Sequence, residues 1–158
     1  MVGKTAVTLG AAAVIALGVA GVSLASGSGG ETGHVRVLRV LDLTKSVKLI
    51  DTDQSKGYSV GDLVVIRTQL RSLDGKRQLG NAFIHCVAIT LPQSQCTGTY
   101  RLRGGDVTFS GLAPGGGAFS VAVTGGTGQF DRYGAGTIRI RNTNASGNRS
   151  IDTITLKG

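Results

Sequence analysis

From residue 34 onward the chain alternates apolar and polar side chains, and glycine, proline and aspartate interrupt the alternation at intervals. Phe119, Val121 and Val123 fall on one side of such a run, with Ser120, Ala122 and Thr124 on the other. That is the period of two expected of a strand with one buried face. The pattern predicts strands over His34–Leu41, Ser46–Ile50, Leu63–Ser72, Ala82–Thr90, Ser94–Arg103, Val107–Leu112, Phe119–Thr124, Thr137–Arg141 and Ser150–Leu156. Asp74-Gly75, Gly104-Gly105-Asp106 and Pro114-Gly115-Gly116-Gly117 supply turns between them. No stretch of a dozen residues in this region carries the 3.6-residue apolar period of a helix. Short strands at regular spacing mean a sandwich or a barrel.

The strand that ends at Thr124 runs into Gly125, Gly126, Thr127 and Gly128, where three glycines open positive φ to a turn. A glycine-rich turn after a strand can cradle a dinucleotide, but only if a helix follows and binds the pyrophosphate at its N-terminus. Here the chain passes through Asp131–Gly136 into another alternating strand, so the turn is read as a corner or bulge in a closed sheet.

The whole run Phe119-Ser-Val-Ala-Val-Thr-Gly-Gly-Thr-Gly-Gln-Phe130 resembles the Phe-x-Val-x-Gly-Gly-Thr-Gly-x-Phe/Tyr signature of the dirigent and allene oxide cyclase barrel superfamily. Gly57-Tyr-Ser-Val-Gly-Asp62, Asp74-Gly-Lys76 and Gln95-Cys-Thr-Gly-Thr-Tyr100 resemble, in order, segments of its small secreted bacterial members. The likeness covers about Val35 to Ile140. It implies an eight-stranded antiparallel β-barrel, and a role in holding an apolar small molecule. Where the family commonly continues with Ala-Arg-Gly, this chain has Tyr133-Gly134-Ala135-Gly136, so that arginine is missing.

Ahead of the strands, Lys4 is the only charged residue before Glu31, and Ala, Val, Leu and Ile dominate as far as Val22. Ser23-Leu24-Ala25 then offers small residues at both specificity positions of a cleavage site. Residues 1–25 read as a secretory signal peptide, 26–33 as a linker and 34–158 as the barrel domain. The alternative for the first segment is an uncleaved membrane anchor. Either way the barrel is expected outside the cell membrane.

The formal charge of +8 drops to +7 without Lys4. Such a balance invites a nucleic-acid reading, yet Arg36/Arg39, Arg67/Arg71, Arg101/Arg103 and Arg139/Arg141 mostly sit at alternate strand positions opposite apolar residues. With four Phe, three Tyr and no Trp, the chain has too few aromatics for a base-stacking platform. No specific nucleic acid is expected; weak attraction to anionic cell-surface polymers is.

Cys86 and Cys96 are the only cysteines, and export implies that they are bonded. A hairpin turning at Leu91 places residue 86 opposite residue 96, within disulfide reach.

The faces of these strands suggest what lies inside. Cys96, Gly98, Tyr100 and Leu102 share the apolar side of their strand, against Thr97, Thr99, Arg101 and Arg103. Pairing turns Ala82, Ile84, Cys86 and Ala88 inward as well. Val64, Ile66, Thr68 and Leu70 follow, and Phe109, Val121, Val123, Ile138 and Ile140 complete the lining. Small residues at several of these positions favour a partly open lumen over a packed one. The expected ligand-binding lumen is therefore Val64, Ile66, Thr68, Leu70, Ile84, Tyr100, Leu102, Phe109, Val121 and Val123. On the outside, Leu63, Val65, Phe83 and Val87 form an apolar patch, expected to join copies of the chain into a homo-oligomer.

Chemistry is sparsely signalled. Asp62, in register with inward Val64, and Tyr100 are the candidate lumen catalysts, although Asp62 could equally close its turn on backbone N–H groups. Asp51–Asp62 places oxygens at several calcium-loop positions, but Lys56 stands where glycine is needed, so no metal or cofactor is expected. Three functions stay open: a non-catalytic binder of an apolar small molecule, a cyclase, isomerase or stereochemical guide for a reactive phenolic, polyketide or fatty-acid-derived intermediate, and a structural cell-surface barrel with a filled lumen.

Overall fold

The computed structural model describes residues 33–158, so the segment read as a signal peptide or anchor lies outside the described residues. Eight antiparallel strands close into a barrel in simple sequence order, each hydrogen-bonded to the next and β8 back to β1. They are β1 (Val35–Ile50), β2 (Leu63–Arg71), β3 (Gln78–Thr90), β4 (Gln93–Leu102), β5 (Gly105–Ala113), β6 (Ala118–Gly126), β7 (Ala135–Asn142) and β8 (Arg149–Lys157). The only helical element among the described residues is a three-residue 3₁₀ turn, Gly128–Phe130.

The two segments expected at His34–Leu41 and Ser46–Ile50 are one strand. β1 serves two partners in succession: Val35–Leu43 pairs with β8 and Leu41–Ile50 with β2. A bulge between Thr44 and Ser46 absorbs the change of partner. Such an insertion bends a strand without ending it, so the polar run Asp42–Ser46 that looks like a break is wall. Beyond Leu43 the strand has β2 on one side and no strand on the other. Val47 and Leu49 lie opposite Ile66 and Val64 there, yet are 61% and 43% exposed.

The glycine segment also differs in detail from the expected turn. β6 continues through Gly126, with a register shift near Phe109 and Val123, and the chain leaves the sheet only at Thr127. Gly128 has φ of +58° and sits so close to Gly104 that a Cβ would stand 2.3 Å from its carbonyl oxygen. Only glycine fits both demands. Thr127 accepts the backbone N–H of Asp106 through Oγ1, which pins the corner to the β4–β5 turn. The motif thus closes one end of the barrel, and Phe130 and Tyr133 are tucked beneath it.

Core packing is therefore uneven. At the corner end Leu70, Val107, Phe130, Ile138, Ile154 and Leu156 are almost fully buried and fill the interior. Toward the opposite end, where the 51–62, 114–117 and 143–148 loops lie, the barrel is hollow.

Cys86 and Cys96 face each other in the β3–β4 register and are disulfide-bonded, with Cα atoms 4.0 Å apart. The hairpin register expected from the Leu91 turn holds residue by residue from Gly80–Leu102 to Ala88–Ser94.

Candidate functional site

The hollow end encloses a cavity of about 310 Å³. Ile66, Ile84, Phe109, Phe119, Val121 and Ile140 give it apolar walls, and the Cys86–Cys96 bond forms part of one side. Its polar surface comes from Asp42, Thr68, Tyr100, Ser150 and Asp152. Of the residues expected to line the lumen, Ile66, Thr68, Ile84, Tyr100, Phe109 and Val121 reach this cavity. Val64, Leu70, Leu102 and Val123 do not. Leu70 and Val123 belong to the buried interior instead, and Leu102 lines a smaller groove near Phe130 at the corner end.

Asp62 is placed differently from its expected role. Its side chain is buried, but both oxygens are spent within the 51–62 loop. Oδ1 accepts from the N–H and hydroxyl of Thr52, and Oδ2 from the N–H and hydroxyl of Ser59. Those bonds, led by the two backbone N–H groups, hold its pKa below the usual carboxylate value. Asp62 is the clasp of a loop and is not on the cavity wall. Asp51 and Asp53 come close to it, and they too are engaged by loop donors: Asp51 by the N–H groups of Asp53 and Gln54, Asp53 by the N–H of Ser55 and the hydroxyl of Ser59.

The carboxylates in the lumen are Asp42 and Asp152. Because β1 runs on past Leu41, Asp42 falls on the inward face, level with Leu70 of β2 and Ser150 of β8. Asp152 sits one inward step along β8, flanked by Val40 and Ile140. Tyr100, from the far wall, donates its hydroxyl to Asp152 Oδ2 at 2.7 Å, and Ser150 donates to Oδ1 at 2.7 Å. Asp152 is thereby set up as an acceptor on both oxygens. Asp42 has no such donors. Burial first, and the neighbouring charge of Asp152 second, push its pKa up to about 8. Burial also raises Asp152, against the opposing pull of Ser150 and Tyr100. The Tyr100 phenol is driven well above its usual value by burial and both acids, so it remains a proton donor.

Thr68 completes the cluster. It is 3% exposed, and its Oγ1 is the buried side-chain polar atom without a hydrogen-bond partner among the described residues. It lies near enough to Asp42 to influence its proton, yet outside hydrogen-bond geometry. A carboxylic acid held neutral by an apolar site can donate a hydrogen bond to a ligand at neutral pH. The cavity thus offers two directed polar groups, Asp42 and Thr68, at the end of an apolar chamber.

On the outer wall Leu63 pairs with Val87 and Arg67 with Phe83, and Val65, Phe83 and Val87 are exposed. His85 is also exposed there and bonds Thr97 on the neighbouring strand.

No protein family matches the sequence, and no curated protein does. Solved structures do match. Pyocyanin demethylase is similar over 77% of this chain and 99% of its own, with a TM-score of 0.66 and 24% identity. A pterocarpan synthase dirigent protein covers 79% of this chain and 87% of its own, at TM-score 0.62 and 13% identity. A Diels-Alderase from Streptomyces koyangensis covers 81% and 70%, at TM-score 0.62 and 11% identity. The fold is the closed eight-stranded barrel that these structures share.

Proposed function

We propose that this barrel, exported from the cell, takes an apolar small molecule into its hollow end and promotes a cyclisation or isomerisation there by hydrogen-bond donation from Asp42. The observation that carries the reading is a cavity-facing carboxylic acid that burial and Asp152 keep protonated near neutrality. A ligand carbonyl, quinone oxygen or enol oxygen placed against Asp42 and Thr68 gains negative charge as its electrons rearrange. A pre-placed donor in a dry site stabilises that charge, and the walls hold the reacting carbons in one conformation. Afterwards the proton returns to Asp42, so the pair is unchanged at the end of a turnover. Asp152, fixed by Tyr100 and Ser150, positions this proton and does not touch the ligand in this scheme.

The similar structures support the reading in kind: a demethylase, a pterocarpan synthase dirigent protein and a Diels-Alderase all use this barrel. Each conclusion about substrate here comes from the cavity. Its volume suits a molecule of two or three rings, and its mouth, with exposed Val47 and Leu49, is apolar. A non-catalytic carrier is the second reading, favoured by the dry walls alone. The wall of exposed Val65, Phe83 and Val87 with half-buried Leu63 is proposed as a contact between copies, and sedimentation of a Phe83→Glu variant checks that assignment.

The test is titration of the barrel domain with a panel of polycyclic ketones, quinones and phenols, followed by product analysis with Asp42→Asn. Saturable binding with altered products in the wild type, abolished in Asp42→Asn, is the expected result. Saturable binding without product formation by the wild type leaves the carrier reading, and turnover unchanged in Asp42→Asn removes Asp42 from the chemistry. No saturable binding by any of the panel overturns both.

A further inference from the structure

The outer wall formed by β7, β8 and β1 carries an unneutralised cluster of arginines. In the β1–β8–β7 register, Arg39 and Arg139 stand on either side of Thr153, and Arg141 stands beside Ile151 in the next outward row. All three arginines are exposed, and they border a groove of about 300 Å³ floored by the half-buried Ile151 and Thr153. No acidic residue occupies an outward position on these strands, since Asp42 and Asp152 point into the lumen. The ion pair found among the described residues, Arg101 with Asp106, belongs to the β4–β5 hairpin. None of the three guanidinium groups makes a side-chain hydrogen bond or ion pair among the described residues. Arg149 extends the positive face, opposite Leu43.

Charges that only confer solubility are usually mixed in sign. Here three like charges converge on one groove, at a cost in mutual repulsion that an anion would relieve. Strand spacing sets their separation. Two inter-strand steps put the Arg39 and Arg139 backbones about 10 Å apart, and one inward–outward period puts Arg139 and Arg141 about 7 Å apart. The arginines occupy three successive outward rows, Arg39 and Arg139, then Arg141, then Arg149, a stripe longer than one small anion and matched by a chain with a charge on every repeat. Guanidinium forks pair two oxygens at once and suit phosphate. We infer that the Arg39–Arg139–Arg141 groove binds a linear phosphodiester polymer outside the cell membrane, tethering the barrel while leaving its mouth free. The location rests on the export proposed above; the groove itself does not depend on the lumen chemistry.

The probe is poly(glycerol phosphate), with poly-glutamate and double-stranded DNA as the competing polymers. Binding is measured by fluorescence anisotropy across a salt series, on the barrel domain. The expected wild-type result is binding whose logarithm falls linearly with the logarithm of salt, as counterion release requires. Each single substitution, Arg39→Gln, Arg139→Gln or Arg141→Gln, should lower that slope by a little under one, and the triple should weaken binding about tenfold or more at low salt. Lys48→Gln, Arg67→Gln and Arg101→Gln together remove the same net charge elsewhere and should leave binding within about twofold. Equal losses in the two triple variants would show net charge alone at work and overturn the site. Tighter binding of poly-glutamate would overturn the phosphate assignment, and tighter binding of double-stranded DNA would overturn a flexible single-chain phosphodiester as the occupant. Thermal melting and lumen-ligand titration of the same variants separate loss of the groove from loss of the fold or of the lumen function.

Discussion

Tyr100 and Asp152 meet across the barrel: the phenol on β4 reaches a carboxylate on β8, 52 residues later, at 2.7 Å. The two strands are not neighbours in the sheet, so no ladder bond holds this distance. Tyr100→Phe removes the donor and leaves a buried oxygen unpaired. The expected loss is about 1–3 kcal/mol of stability, read by urea unfolding. The proton of Asp42 should also shift, and that shift distinguishes the positioning role from a purely structural one. Ligand affinity should therefore show a displaced pH profile in Tyr100→Phe.

Asp42 makes stability fall as pH rises. Its folded-state pKa is pushed up to about 8, above the ordinary carboxylate value of 3.8, so between those values the folded state holds a proton that the unfolded state has released. Stability is full below about 4 and declines until the folded-state value is passed. Asp42→Asn should flatten that decline and raise the melting temperature at pH 8 relative to the wild type. Asp62 acts in the other direction, since its lowered pKa makes stability drop as pH falls below its ordinary range. A wild-type melting curve that rises between pH 5 and pH 8 would contradict the assignment of Asp42 as the protonated member of the pair.

Ala113 borders the cavity near the loop at Gly115 and Gly116. Ala113→Phe should plug the chamber and abolish ligand binding, while leaving the packed end of the barrel untouched. Retained binding in a folded Ala113→Phe variant would move the ligand out of this cavity.

Asp62→Ala opens the 51–62 loop by removing the acceptor for Thr52 and Ser59. The expected outcome is faster proteolysis within that loop and a lower melting temperature, with the product distribution unchanged. Altered products with an intact loop would return Asp62 to the catalytic list.

Breaking Cys86–Cys96 should cost about 2–3 kcal/mol, the low end for a disulfide because its loop is short, while the ladders of neighbouring strands keep the barrel closed. Intact mass of the native protein should be two hydrogens below that of the reduced chain, a difference readable by mass spectrometry. Two free thiols in protein taken from an oxidising compartment would count against both the bond and the inward face of the hairpin.

The β2–β4 region was the most legible part of the sequence. There the alternation is clean, each strand has a single partner on each side, and a tight turn fixes the register from Leu63 to Leu102. The acid pair was hidden for two separate reasons. Asp42 follows the last clearly alternating residue, so only the bulge at Thr44–Ser46, which carries β1 past it, turns it into a lumen residue. Asp152 lies in Ser150–Leu156, where both faces are partly apolar, and its inward side follows from pairing with β1 and β7. A signal is present in Leu38-Arg39-Val40-Leu41-Asp42, where Leu38, Val40 and Asp42 share the inward face. Of the two roles open to Asp62, the structure shows turn closure: it precedes the start of β2, where local hydrogen bonds and not the period-two register set side-chain direction.

The change of partner along β1 makes the barrel wall asymmetric. Ser46–Ile50 hangs from β2 alone near the mouth, as Ala118–Val121 of β6 hangs from β7 alone. Moving that flap outward breaks no ring and exposes little that is not exposed already, since Val47 and Leu49 are open to solvent as it stands. The chamber therefore has a panel at its open end that can swing without breaking the closed ladder behind it. The rate at which guests enter and leave can be tuned by the sequence of five residues, independently of the acid pair that receives them.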